Sequence, residues 1–209
     1  MTSPPPLPED PGVRERLLRA AVELFTVRGY AATSVREIVE AAQVTKPVLY
    51  YHFGSKEGID LAVLEEMRGT LRALLERLLA EQGSARHRIE RLFLGIYDVF
   101  EQQAPVVRFL NAILWGPPQG APPFDVETFH RPLHDAVQAI VAAGIAAGEL
   151  RPAEAEDVAI ALIALLVFAM DLQLCHPDWG LGRSGLARLL DLAFTGVALP
   201  APAAQESSR

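Results

Sequence analysis

Five side chains able to meet a phosphate oxygen sit close together in the stretch 43-QVTKPVLYYHFGSKE-57. Lys46 and Lys56 carry the charge that neutralises a phosphate. Tyr50, Tyr51 and His52, between them, can donate to phosphate oxygens or pack on sugar and base edges. Pro47 and Val48 are apolar and suit a thymine methyl. Taken singly, each lysine could be a solvated surface group and each ring a core filler. A second candidate is His130 with His134, four apart, which is metal-ligand spacing on a helix. Pro132 lies between them and no third ligand is evident, so no metal is expected. No G-x-S-x-G, phosphate loop or C-x-x-C pattern occurs, and Glu23, Glu37 and Glu40 read as a solvated face. Neither catalysis nor a cofactor is expected.

The whole chain argues against a polyanionic partner, because 209 residues carry a formal net charge of −7. Regional counting reverses this. From Val13 to Lys56 there are seven bases (Arg14, Arg16, Arg19, Arg28, Arg36, Lys46, Lys56) and four acids (Glu15, Glu23, Glu37, Glu40), a net +3. The remainder is therefore −10. A small basic module is joined to a larger acidic body.

The elements that position the cluster read with helical period almost throughout. Val13–Arg28 places Val13, Leu17, Ala21, Leu24 and Phe25 on one face, with Asp10 as cap and Pro11 in the first turn. Gly29 ends it. Thr33 or Ser34 opens a second helix; Ser34-x-x-Glu37 has capping-box form, and Val35, Ile38, Val39 and Ala42 make its buried stripe. Thr45 can cap a short third helix, Lys46–His52, and Ser55 a long fourth, Lys56 to about Leu79. Only Gln43 to Thr45 separate the second and third helices, which forces a helix-turn-helix corner. In that geometry the second helix of the pair enters the major groove while its flanks hold phosphates. Leu49, Phe53 and Tyr30 are then core. Arg36 either reaches a base edge or pairs with Glu40 one turn on.

Further helices are expected over Ala85–Glu101, Val106–Trp115, Asp125–Ala147 with a possible kink at Pro132, Ala153–Leu174 and Ser184–Val197. The fold class is all-α, with about nine helices. A three-helix head over 13–55 precedes a helical body over 56–199, flanked by disordered segments at 1–12 and 200–209. The run 158-VAIALIALLVFAM-170 is bounded by Asp157 and Asp171 and reads as a buried helix rather than a membrane span. The N-terminal residues lack signal-peptide character. The single cysteine, Cys175, fits a reducing, cytoplasmic location.

The stretch 25-FTVRGYAATSVREIVEAAQVTKPVLYYHFGSKEGI-59 resembles the DNA-binding domain of TetR-family transcriptional regulators. Phe25, Gly29-Tyr30, Thr33-Ser34-Val35, Ile38, Leu49 to Phe53 and Ser55-Lys56-Glu57 carry the likeness, and 144-GIAAGELRP-152 adds a looser one. The resemblance implies DNA contacts from Ser34, Arg36, Thr45, Lys46, Pro47, Val48, Tyr50, Tyr51, His52 and Lys56. It also implies a double-stranded palindromic operator, a small apolar or amphipathic effector that releases it, and a homodimer through helices at about 153–174 and 184–197. The family turn commonly holds glycine where Gln43 stands. Pro47-Val48 replaces a small polar pair, so base preference would rest on apolar contact and Lys46. Effector contacts are sought among Phe93, Tyr97, Phe100, Trp115, Phe168 and Met170, with His134 or Asp171 as the polar partner. The alternative is an all-helical binding protein or enzyme whose first helices only resemble such a head.

Overall fold

A computed structural model describes residues 11–115, 125–179 and 181–196. The expected Asp10 cap, both terminal segments and the 116–123 loop lie outside these. Nine α-helices and one short 3-10 turn make up the fold, with no strand among the described residues. They are α1 (Pro11–Arg28), α2 (Val35–Ala41), α3 (Lys46–Phe53), α4 (Lys56–Leu79), α5 (Ala85–Gln102), α6 (Ala104–Trp115), α7 (Val126–Ala146), α8 (Ala155–Cys175) and α9 (Gly182–Thr195). Expected boundaries differ by a residue or two at most ends. α6 starts at Ala104 because Pro105, lacking an N–H, costs nothing in a first turn. α7 continues through Pro132 as one helix.

Side-chain caps explain most of the starts. Ser34 and Glu37 form the reciprocal box at α2, with the Ser34 N–H donating to Glu37 Oε2 at 2.8 Å. Ser55, Ser84 and Asp125 accept from backbone N–H groups at the starts of α4, α5 and α7. Thr45 departs from expectation: it is the N-cap residue of α3, but its side chain makes no cap bond. The second helical position is Pro47, which has no N–H to give, and the Val48 N–H bonds the Thr45 carbonyl instead.

Two hydrophobic cores form. The head core holds Leu17, Phe25, Ile38, Leu49 and Ile59, all essentially inaccessible, and continues along α4 to Met67. It also takes in Phe109 and Leu110 of α6; the Phe109 ring stacks on Phe25 at 5.5 Å. Each such side chain contributes about 1.5–3 kcal/mol by leaving water. The body core is built on α5, whose Ile89, Leu92, Phe93, Ile96, Tyr97 and Phe100 pack against α4, α7, α8 and α9. The changeover falls within α4, between Met67 and Leu74.

The expectation that α8 is a buried helix is corrected. Its inner side packs through Ala159, Leu162, Leu166 and Ala169. Ile160 and Phe168 face outward, Phe168 with 64% of its surface exposed. The helix is apolar on both sides, and the described residues cover only one of them. By length and hydropathy α8 could cross a bilayer, but its inner side is part of the body core.

Candidate nucleic-acid interface and effector cavity

Three backbone residues, Gln43 to Thr45, separate the C-cap of α2 from α3. Gln43 has φ +55°, the left-handed conformation that glycine adopts without strain. The Gln43 and Val44 N–H groups bond the Glu40 and Val39 carbonyls and fix the corner. Leu49 is driven into the head core. The opposite side of α3 is then set outward: Lys46 and Pro47 are exposed, with Tyr50 and Tyr51 about half exposed. His52 is half-buried, its ring edge-on to Tyr51 at 5.1 Å. Gly54, at φ +73°, ends the helix one residue later than expected.

The bases in the head are not equivalent. Arg14 pairs with Glu66, Arg28 with Glu37 and Arg36 with Glu40, the last at 2.7 Å. Lys56 donates to the carbonyl oxygens of Tyr30 (2.8 Å) and Thr33 (2.9 Å), so the start of α4 is tied to the start of α2. Lys46 makes no ion pair among the described residues and stands at the first turn of α3. Below this surface Asp60 is fully buried with both carboxylate oxygens lacking a hydrogen-bond partner among the described residues. Burial pushes its pKa up to about 6; the Lys56 charge opposes the rise and Glu57 adds to it.

The body contains a cavity of about 160 Å³ between α4, α5, α6, α7 and α8. Its walls are aliphatic and aromatic, from Leu74, Ile96, Phe100, Leu133 and Leu166 among others. Gln103, Asn111, His130 and Asp171 are its polar members. The Asn111 amide donates to Asp171 Oδ1 at 3.1 Å. Burial of the ring lowers the His130 pKa, with the Val126 backbone partly opposing, so the imidazole is neutral near pH 7. Met67 and Leu110 line this cavity and belong to the head core as well.

The sequence pattern of "Bacterial regulatory proteins, tetR family" matches residues 17–63, which run from α1 into α4. The repressor KstR2 of Mycolicibacterium smegmatis is 30% identical over 151 residues, covering 71% of this chain and 73% of that one. The chain belongs to the TetR family. Against other curated regulators the match spans half their length or less. Among solved structures, the TetR-family regulator PfmR from Thermus thermophilus superposes with a TM-score of 0.74 at 24% identity, covering 90% of this chain and 98% of that one. AibR, solved with isovaleryl coenzyme A and operator DNA, superposes with 0.68 at 17% identity, over 88% and 100% of the two chains. These likenesses show the fold.

In this TetR-family regulator the ten residues expected at DNA lie on α2, α3 and the first turn of α4. Ser34, Arg36, Thr45, Lys46, Pro47, Tyr50 and Tyr51 are exposed or half-exposed. Val48 is half-buried against the head core, and Lys56 is bound to carbonyls as described. Of the residues expected at the effector, Phe100 and Asp171 line the cavity, as does Met170. Phe93 and Tyr97 are buried in the body core away from its lining, and Phe168 points outward. His134 lies beside Asp135 rather than in the cavity. The Trp115 side chain lies outside the described residues. Among those residues no group of metal-ligating side chains forms at His130 and His134. Asn111 and His130 were missed as cavity residues. Asn111 had a signal, as the lone amide in the apolar run 106-VVRFLNAILW-115.

Proposed function

We propose that this TetR-family regulator is an effector-responsive repressor that binds a palindromic operator as a dimer. In this reading α3 enters the major groove. Lys46, Tyr50 and Tyr51 meet phosphates or base edges, Pro47 and Val48 meet thymine methyls, and Ser34, Thr45 and Lys56 lie along the backbone. Arg36 turns from Glu40 to a base only if DNA outcompetes that pair. The head is taken as 13–55 and the body as 56–199, with α4 common to both. The outward apolar side of α8, with Leu192 of α9, supplies the surface for a second copy.

The observation that carries the reading is the double membership of Met67 and Leu110. A ligand in the cavity must touch side chains on which the head is packed. Filling the cavity shifts α4 and α6 and so changes the separation of the two heads, which a palindrome requires at ~34 Å or a multiple. Release by about 100-fold needs a preference of about 2.7 kcal/mol for the non-binding state. KstR2 is named a repressor, and AibR was solved with both isovaleryl coenzyme A and operator DNA; both are in keeping with this.

The test is selection of bound sequences from random DNA by the full-length protein, followed by titration of the selected site. Palindromic sites, binding that falls steeply with salt, and release by an added small molecule are expected. Phe168→Glu should yield a monomer by sedimentation that binds only half-sites weakly. Salt-insensitive capture, or no sequence selection, would overturn the reading.

A further inference from the structure

The composition of the cavity wall restricts what can occupy it. Seventeen of the described residues line it, and none of these is lysine or arginine. The one acidic group among them is Asp171, half-buried, with Oδ1 accepting from Asn111 and Oδ2 without a hydrogen bond from the described residues. Asp171 lies about one turn before the C-terminal end of α8 at Cys175, where the unpaired carbonyls give the helix its negative pole. Burial lowers the His130 pKa and so favours its uncharged ring. The rest of the lining is aliphatic or aromatic apart from Gln103 and the thioethers of Met67 and Met170. A volume of about 160 Å³ is close to that of an apolar protein cavity known to admit benzene.

We infer that the effector is a small hydrophobic amine, its ring or alkyl body in the aliphatic part of the cavity and its ammonium against Asp171. This rests on the reading of the cavity as the effector site. An anionic ligand would bring like charge to Asp171 with no base to offset it. A plain hydrocarbon would fill the space but leave the carboxylate without a counter-charge. The phosphates of a coenzyme A ester, such as the one solved with AibR, find no cationic partner in this lining.

The experiment is calorimetric titration of the full-length protein with four probes sharing one ring: benzylamine, benzyl alcohol, toluene and benzoate. Benzylamine is expected to bind at least tenfold more tightly than toluene, with benzyl alcohol between and benzoate weakest. Asp171→Asn should bring benzylamine down to the level of benzyl alcohol and leave toluene unchanged, which also shows that the variant is folded. Asn111→Ala keeps the carboxylate and should keep the order. If Asp171→Asn fails to fold, the wild-type order decides alone. Toluene binding as tightly as benzylamine would overturn the amine assignment and leave the cavity reading standing. Benzoate binding most tightly would do the same. No binding by any probe would overturn both.

Discussion

Lys56 donates to the Tyr30 carbonyl oxygen at 2.8 Å, and its ammonium lies 4.0 Å from the centre of the Tyr30 ring. The same residue thus offers an acceptor and a π-face to one cation, with the Thr33 carbonyl as a third partner. A lysine that reads from sequence as a phosphate contact is also the pin between the second and fourth helices.

Two lysine substitutions should therefore separate. Lys56→Met is expected to destabilise the protein by about 2 kcal/mol, since hydrogen bonds to a charged donor are worth about 1.5–3 kcal/mol and this one is partly solvated. Lys46→Ala should leave the melting temperature unchanged and reduce the slope of log affinity against log salt by about 0.9. Thermal melts and salt titrations on one operator check both. Equal melting temperatures for the two variants would contradict the pin.

Gln43 holds φ +55° where a side chain costs about 1 kcal/mol and glycine nothing. Gln43→Gly gives back part of this through the greater freedom of the unfolded chain. A net gain of about 0.5 kcal/mol in denaturant unfolding is expected, with DNA affinity unaltered. A loss would mean that the Gln43 side chain contributes to the head.

Asp60 makes stability depend on pH. Its folded pKa, about 6, lies above the usual 3.8, so the native state holds the proton more tightly. Its contribution to stability is greatest below about pH 4, declines as pH rises from about 4 to 6, and levels off above that. The decline amounts to about 3 kcal/mol. Asp60→Leu should raise stability at pH 7 and flatten that part of the profile in urea melts. An unchanged profile would show that the decline has another source.

Gly144 is enclosed: a Cβ there would lie 2.5 Å from that of Ala85 and 3.1 Å from Leu150. Both neighbours are anchored, since Glu149 accepts the Ala85 N–H at 2.6 Å and the Glu149 and Leu150 N–H groups bond the Gly144 carbonyl. Gly144→Ala should cost about 1–3 kcal/mol through overpacking. Glu149→Ala should cost about 1 kcal/mol through loss of the bond at the start of α5. Melting curves of the two variants and their double mutant test whether the costs are coupled.

The head was legible because its signals are local. Ser34 with Glu37, Pro47 and Ser55 each fix a boundary through their own backbone chemistry, whereas the stop at Gly54 was placed one residue early. The family pattern marked Gln43 as standing where glycine is common, but its left-handed backbone came only from the structure. Of the two readings of α8, the buried helix failed for its outer side, since an apolar residue looks the same in sequence whether it packs inward or faces out as Ile160 and Phe168 do. The cavity was read only in part for a related reason. Phe93 and Tyr97 are as aromatic as Phe100, and only the packing of α4 to α8 decides which of them borders empty space. Lys56 was half read: its charge is visible in sequence, but the carbonyls 23 and 26 residues away are not.

The cavity has two kinds of wall. Leu133, Val99 and Leu166 belong to the body core alone, so under the proposed function exchanging them is expected to change which compound is sensed while leaving operator binding alone. Met67 and Leu110 belong to the cavity and to the head core, and under the proposed function a substitution there is expected to alter the unliganded grip on DNA together with the response. Descendants of this sequence that acquire new effectors would therefore be expected to diverge on the first wall sooner than on the second.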